Sequence, residues 1–293
     1  MGLARSSFYR RASLSVEGRR VRKEVLELSG KHPRYGYRRI VALLRREGFV
    51  VNAKRVARIR REEGLKVSRR QRKRKRIGIS TTERHRANGP REVWSWDFVS
   101  DQTASGTPFR ILTLLDEYTR ECLAIHTGWS IRSEDVIAVL EATAARYGAP
   151  AHIRSDNGPE FIAYKIQDWL GKAAIKTIYI TPGSPWENGH IESFHDKLRD
   201  ECLNRELFST LTEARVLLEG WRMEYNTKRP HSSLGYLSPN EYFGQWKMKS
   251  EGGSAPPNPT PLAAAGVRGN MGGAHAPMRQ SNPTTQTSQK LQF

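Results

Sequence analysis

The segment VWSWDFV, residues 93–99, alternates in the way that is typical of a β-strand. Its two tryptophans fall on one face of that strand, and Ser95, Asp97 and Val99 fall on the other. A buried carboxylate is costly unless it is paired with a cation or bound to a metal ion. The pattern therefore predicts that Asp97 is either an ion-pair partner or a metal ligand, and by itself it does not decide between the two.

Further strands and helices are predicted on the C-terminal side of this segment. Apolar runs bounded by turn-forming or charged residues predict strands, and apolar residues at helical spacing predict helices. The predicted strands are residues 110–115, 122–127, 152–155 and 176–180. Of the predicted helices, residues 134–147 precede the third of these strands and residues 162–170 precede the fourth. Three strands in succession, followed by alternating helices and strands, indicate an α/β domain with a mixed sheet and exclude a TIM barrel.

Three short amphipathic helices are predicted on the N-terminal side. Their apolar residues recur at helical spacing in three groups: Val21, Val25 and Leu28; Ile40, Leu43 and Leu44; Val56 and Ile59. Gly48 and Gly64 are expected at C-terminal caps, and Asn52 is expected to cap the start of the third helix. A basic final helix is typical of a helix-turn-helix module, so Arg55 and Arg58 are candidate DNA contacts, although a protein-docking bundle is the alternative.

The positive charge of the chain is concentrated at its N-terminal end. Residues 1–76 contain 26 Lys and Arg against six Glu, a net charge of +20, whereas the whole chain carries +19. Such a segment is suited to binding a polyanion, although a merely solubilising basic tail is the alternative. Residues 68–76, SRRQRKRKR, contain no apolar side chain and predict a linker or DNA-tracking arm.

These patterns divide the chain into four predicted parts. They are a helix-turn-helix-like region at 1–67, a basic linker at 68–88, an α/β core at 89–248 and a disordered tail at 249–293, where Gly, Pro, Ala and Gln dominate. No apolar run approaches the roughly 18–20 residues of a membrane span, and the start lacks the apolar stretch of a secretion signal, so a cytoplasmic location is expected. Cys122 and Cys202 are expected to be buried, reduced thiols.

Two further acids occupy positions suited to chemistry. Asp156 ends the predicted strand HIRSD, where open α/β sheets bind ligands, although SDNGP would also be an ordinary turn. Glu192 lies on a predicted helix and shares one face of it with Asn188, Asp196 and Arg199. A glutamate on a helix is usually only solvated. Together with Asp97, however, these acids form the oxygen-only ligand set that Mg²⁺ prefers.

The neighbours of Glu192 are candidate DNA contacts. Lys197 and Arg199 would neutralise phosphate charge, with an ion pair between Arg199 and Asp196 as the alternative, and Asn188 would belong to a loop that faces the substrate. Other polar residues are expected to have ordinary roles. Asp101 is about 13 Å along the strand from Asp97, and Asp116 is expected in a turn. His195 is expected on a helix surface, with a contact to DNA or the active site as the alternative, and His231 is expected in ordinary packing or near DNA.

Five motifs in this order resemble those of the OrfB-type transposases of the two-reading-frame insertion-sequence family, which are relatives of retroviral integrases. The motifs are WSWDFVSD, LDEYTREC, IRSDNGPEF, SPWENGHIESFHDKLRDECL and YNTKRPHSSLGYLSPNEYF. The interval between Asp156 and Glu192 contains 35 residues, which is the spacing of the aspartate, aspartate, glutamate (DDE) signature.

The resemblance implies an RNase H-like integrase core, a five-stranded mixed sheet flanked by helices, preceded by a small all-α helix-turn-helix-like domain. It implies that Asp97, Asp156 and Glu192 are catalytic metal ligands for two Mg²⁺ (or Mn²⁺) ions in DNA cleavage and strand transfer. The expected partners are transposon-end and target DNA, further copies of the chain, and an upstream OrfA product, at the bacterial nucleoid. An RNase H-like nuclease that only hydrolyses and a DNA-binding regulator or inactive remnant are the alternatives.

Overall fold

The computed structural model describes residues 15–67, 86–155, 164–180 and 188–252 of the chain. These residues all belong to one compact unit that ends at Pro259. The basic segment 68–76 and the predicted disordered tail beyond residue 252 lie outside the described residues. No helix within the described ranges is both long enough and apolar enough to cross a membrane.

Three helices form the N-terminal part, as predicted. They are α1 (Val16–Lys31), α2 (Tyr37–Arg46) and α3 (Ala53–Glu62), and each buries one apolar stripe. The Asn52 side chain accepts a hydrogen bond from the amide of Lys54, which caps the start of α3. Gly48 and Gly64 follow the ends of α2 and α3 with φ angles of 85° and 69°, a conformation that glycine adopts without steric cost.

A five-stranded mixed sheet forms the centre of the second part, which confirms the predicted α/β architecture. The strands are β1 (Val93–Gln102), β2 (Pro108–Asp116), β3 (Cys122–Gly128), β4 (His152–Ser155) and β5 (Lys176–Tyr179), in the spatial order β3-β2-β1-β4-β5. β1, β2 and β3 are antiparallel neighbours, because short connections join them. β4 and β5 continue the sheet in parallel with β1.

Helices cover both faces of the sheet. They are α4 (Ser133–Tyr147), α5 (Tyr164–Lys172), α6 (Gly189–Leu198), α7 (Leu211–Thr227) and α8 (Pro239–Glu251), with a π-helical turn at Arg199–Leu203 after α6. Trp94 and Trp96 are fully buried against α4 and α5, whereas Val99 packs on the other face with Ile191 and Phe194 of α6. The predicted alternation of β1 is therefore confirmed, and it directs Asp97 towards the face that α6 covers.

Candidate active site

Asp97 lies in the middle of β1, opposite Thr113 of β2. Its Oδ1 accepts a hydrogen bond of 2.7 Å from the amide of Phe98, and about a quarter of the side chain, 26%, is exposed. The carboxylate is therefore oriented by the backbone but remains accessible from solvent. This combination suits a metal ligand better than a buried ion-pair partner, because the ligand needs an open side for the ion and its water.

His195 of α6 connects this strand to the helix that carries Glu192. Its Nδ1 lies 3.5 Å from Oδ2 of Asp97, and its Nε2 lies 2.8 Å from the hydroxyl oxygen of Thr113. The Thr113 hydroxyl also lies 3.0 Å from the carbonyl oxygen of Asp97. Thr113, His195 and Asp97 therefore form one connected polar network.

The expectation that His195 is a surface residue was wrong, since only 13% of its side chain is exposed. Burial, and then the charge of Arg199, lower the pKa of His195 to about 4. The imidazole is therefore neutral at pH 7. A sequence signal for this role existed, because His195 lies three residues after Glu192, but helical spacing does not say which strand faces that turn.

Glu192 is exposed and lies one helical turn before His195. Residues three apart on a helix are neighbours, with Cβ atoms about 5–6 Å apart. Because His195 contacts Asp97, the structure brings the turn that carries Glu192 to the same part of β1. Both acids offer oxygen ligands from an accessible surface, which fits a hard divalent cation.

Asp156, the third predicted ligand, lies outside the described residues. It directly follows Ser155, the last residue of β4, which is the parallel neighbour of β1. Within the described ranges no group of three His, Cys, Asp or Glu residues could hold a metal ion. The participation of Asp156 therefore stays a prediction, and the donor set of Asp97 and Glu192 is what the structure offers towards a metal site.

A buried ion pair that the sequence did not predict supports the sheet next to Asp97. Glu117 accepts a hydrogen bond of 2.8 Å from Nε of Arg154 and a second one from the hydroxyl of Ser95. The two charged side chains are 4% and 5% exposed. Ser95 and Arg154 are register partners in β1 and β4, so this network joins the strand that carries Asp97 to the strand that precedes Asp156.

Asp116 has the predicted turn role. It is fully buried, and its carboxylate accepts hydrogen bonds from the amide and the hydroxyl of Thr119 and from the amide of Arg91. Burial raises the pKa of this carboxyl group. The bonds from Thr119 stabilise the turn after β2, and the bond from Arg91 ties that turn to the segment before β1, so Asp116 is not available as a ligand.

The candidate DNA contacts near Glu192 have three different surroundings. Arg199 is exposed, and its guanidinium donates to the carbonyl oxygen of Ser100 on β1, 3.3 Å away. Lys197 is half-buried on another face of α6, where its ammonium donates to Ser193. Asn188 is only 6% exposed. Arg199 thus reaches the strand that carries Asp97, whereas Lys197 lies on another face of α6 and Asn188 is buried.

The basic residues of α3 also differ from one another. Arg58 is exposed, with its Nε 3.8 Å from Glu62, and Arg55 is half-buried. Arg60 is buried and donates to the hydroxyl of Ser29 and the carbonyl of Leu65, so it stabilises the helical part itself. DNA contact by Arg55 and Arg58 remains a prediction.

His231 and the two cysteines are all buried. His231 is 4% exposed and packs edge-on against the ring of Tyr225, in agreement with the packing alternative. Cys122 and Cys202 are buried free thiols, as expected. Burial raises the pKa of Cys202 to about 12.

Known families and proteins match most of the chain. The integrase core domain matches residues 87–185 and 173–239, and an HTH-like domain matches residues 17–74. The chain is 38% identical over 255 residues to the insertion element IS407 uncharacterized 31.7 kDa protein of Burkholderia multivorans, covering 87% of this chain and 92% of that protein. It is 36% identical over 261 residues to the insertion element IS476 uncharacterized 39.2 kDa protein of Xanthomonas euvesicatoria, covering 88% and 74%.

A further relative carries the name of an enzyme. Transposase InsD for insertion element IS2A/D/F/H/I/K of Escherichia coli is 32% identical over 235 residues, covering 74% of this chain and 75% of that protein. A chain in the cryo-EM structure of the simian T-cell lymphotropic virus intasome in complex with PP2A regulatory subunit B56 gamma aligns with a TM-score of 0.48 and 16% identity, over 75% of this chain and 74% of that one. The domain matches and the relatives named for insertion elements show that this chain belongs to the insertion-sequence transposases of the DDE integrase superfamily.

Proposed function

We propose that this transposase cleaves and joins DNA with two Mg²⁺ (or Mn²⁺) ions held by Asp97, Asp156 and Glu192. The observation that carries the proposal is the contact between His195 and Asp97, since it brings the Glu192 turn of α6 to the middle of β1. When bound, the ions would activate the attacking water or 3′-hydroxyl and neutralise charge on the leaving oxygen.

The residues of the chain prepare this surface for the reaction. The amide of Phe98 orients the Asp97 carboxylate, and Thr113 holds the His195 ring beside that carboxylate. Arg199, beside the same strand, supplies positive charge for a DNA phosphate. No covalent bond between protein and DNA is needed, because both steps transfer a phosphoryl group between oxygen atoms.

DNA recognition completes the proposal. Arg55 and Arg58 of α3 would contact the transposon end, with α3 in the major groove. Two transposon ends and a target must be handled, so we propose a homo-oligomer on DNA, assembled with or without an upstream OrfA product, at the bacterial nucleoid. The transposase relatives do not favour a nuclease that only hydrolyses or a regulator without activity.

The test is cleavage and joining of the labelled terminal repeat of the element that encodes the chain. Asp97→Asn and Glu192→Gln are each expected to slow both reactions more than about 100-fold in Mg²⁺. Losing a carboxylate that binds the metal ion lowers activity more than losing a residue that only orients such a carboxylate. Removing the metal with EDTA should stop the wild-type reaction.

Two control variants remove the same charge from neighbouring positions. Asp101→Asn changes an acid on the strand of Asp97, and Asp196→Asn changes an acid on the helix of Glu192. Both variants should keep most of the wild-type rate. Full activity of Glu192→Gln would refute the ligand assignment. Cleavage without joining of a precleaved end would instead support the hydrolytic nuclease.

A further inference from the structure

A cavity of about 250 Å³ adjoins the helix of Glu192, between α6, α2 and the segment after α7. Four cationic side chains line it: Arg39, Arg120, Lys197 and Arg229. His231 lies in its wall, and the exposed Ser233 also contributes to its lining. A cavity with this many positive charges and no carboxylate among its described lining residues is suited to an anion.

The cavity and the active site use different faces of α6. Ser193 and Lys197 line the cavity and are one turn apart. At roughly 100° per residue they lie about 100° and 140° round the helix from Glu192. Ser193 is nevertheless the next residue after Glu192, so a single helix connects the two places.

The charges of the cavity are only partly neutralised. Arg229 donates to both oxygens of Glu201, at 2.6 and 2.5 Å, and Arg39 donates to the same carboxylate at 3.2 Å. One acid is therefore shared by two arginines. Glu117 and Asp116 act on Arg120 from nearby, but Glu117 is hydrogen-bonded to Arg154, and Asp116 holds its turn.

The positive charges of the cavity contribute to the lowered pKa values of two groups beside it. Burial, followed by the charges of Arg229 and Arg39, lowers the pKa of Lys197 to about 8. Burial, followed by the charges of Arg229 and Lys197, lowers the pKa of His231 to about 2. An anion in the cavity would relieve the repulsion that both shifts express.

Buried polar atoms of the cavity residues also lack partners. In the part of the chain that the structure describes, Nη1 of Arg229 and Nη1 of Arg120 are buried donors without a hydrogen-bond partner. Arg229 is only 1% exposed, so solvent at the surface does not satisfy its donor. Buried donors without acceptors are rare in folded proteins, and each one calls for a ligand, a water molecule or another explanation.

We propose that this cavity binds a phosphate group of the DNA strand whose end is processed at Glu192. A phosphate offers several acceptor oxygens to convergent arginine and lysine donors. A volume of about 250 Å³ is enough for a phosphate group. The identity of the strand rests on the proposed function, whereas the binding of phosphate does not.

The first test is binding of inorganic phosphate and pyrophosphate in EDTA, where no metal-dependent chemistry occurs. Ser233→Asp adds a negative charge to the lining, and Ser233→Ala is its neutral control. Phosphate should raise the unfolding temperature of the wild type and of Ser233→Ala at constant ionic strength, and Ser233→Asp should weaken binding about tenfold. Equal binding by all three proteins, or none by the wild type, would overturn the phosphate site.

The second test identifies the source of the phosphate. A terminal-repeat oligonucleotide carrying one neutral methylphosphonate at a time is bound in EDTA to the wild type, to Lys197→Met and to the control Lys247→Met. A methylphosphonate at one position near the processed end should weaken DNA binding about tenfold in the wild type and in Lys247→Met. The same substitution should not weaken DNA binding in Lys197→Met.

The outcomes separate the two proposals. If inorganic phosphate binds but no methylphosphonate position depends on Lys197, the assignment to DNA is overturned. If that position is found and Glu192→Gln remains active, the cavity proposal stands while the ligand assignment of Glu192 fails. Ser233→Asp provides the same comparison should Lys197→Met unfold.

Discussion

At the scale of single residues, the Asp97 carboxylate is positioned by groups from three elements. Phe98 on its own strand, Thr113 on β2 and His195 on α6 all contact the residue or one another. Thr113 is fully buried, and its hydroxyl joins the histidine to the backbone of Asp97. It is therefore a positioning residue, because it acts on the proposed ligand only through neighbouring groups.

We predict that Thr113→Val slows DNA cleavage about 10- to 100-fold, because loss of the hydroxyl frees the His195 ring beside the proposed ligand. The Mg²⁺ concentration for half-maximal activity should rise, while affinity for DNA in EDTA stays unchanged. Thr143→Val is the matched control, since its buried hydroxyl bonds only to Val139 of the same helix. An unchanged Mg²⁺ dependence in Thr113→Val would assign a purely structural role to the hydroxyl.

At the scale of elements, the parallel pair β1 and β4 depends on a buried charge network. β4 has only four residues, yet its Arg154 crosses to Glu117 after β2, and Ser95 of β1 joins the same carboxylate. A short strand contributes few backbone hydrogen bonds, so the side-chain network adds a constraint on its position. This matters for the proposed site, because Asp156 follows β4 directly.

We predict that Arg154→Met lowers the free energy of unfolding by about 3–5 kcal/mol, because it leaves Glu117 buried without its cation. The double variant Arg154→Met with Glu117→Gln should recover part of that loss in urea unfolding. Lys165→Met breaks the exposed pair with Glu134 and should cost less than about 1 kcal/mol. A loss in Arg154→Met no larger than in Lys165→Met would contradict the predicted role of the network.

At the scale of the whole molecule, arginines of the N-terminal helices contact the core rather than solvent alone. Arg46 of α2 donates to the carbonyls of Lys228 and Tyr236 and to Glu241, at 2.6, 3.0 and 2.5 Å. Arg34 pairs with Asp200, and Arg39 pairs with Glu201. Some of the arginines on which the prediction of DNA binding rested therefore connect the N-terminal helices to the core.

We predict that Arg46→Met loosens this attachment, because three contacts across the interface are lost at once. Hydrogen exchange should become faster in α2 and in residues 228–241, and trypsin should cut residues 47–67 sooner. Arg45→Met is the control on the same helix, since Arg45 contacts Val51 within the N-terminal part. Equal exchange in both variants would show that the Arg46 contacts do not stabilise the attachment.

The sequence by itself determined the elements and the family, since those depend on patterns that are local in the chain. Period-two alternation placed Trp94 and Trp96 on the opposite face from Asp97, and Asn52 and Gly48 marked helix ends through their own backbone chemistry. The predicted strands were confirmed within about three residues, and β1 and β2 extend further because their pairing continues past the apolar run.

The tertiary structure alone decided which of these residues meet. His195 contacts Thr113 from 82 positions away, and Arg39 reaches Glu201 from 162 positions away. Such distances in the chain leave no periodic signal, so the sequence did not show that Lys197 lines a cationic cavity together with Arg229. The physical reason is that α6 packs on β1 with one face and lines the cavity that it shares with Arg39 of α2 with another, so two faces of one helix have two different environments.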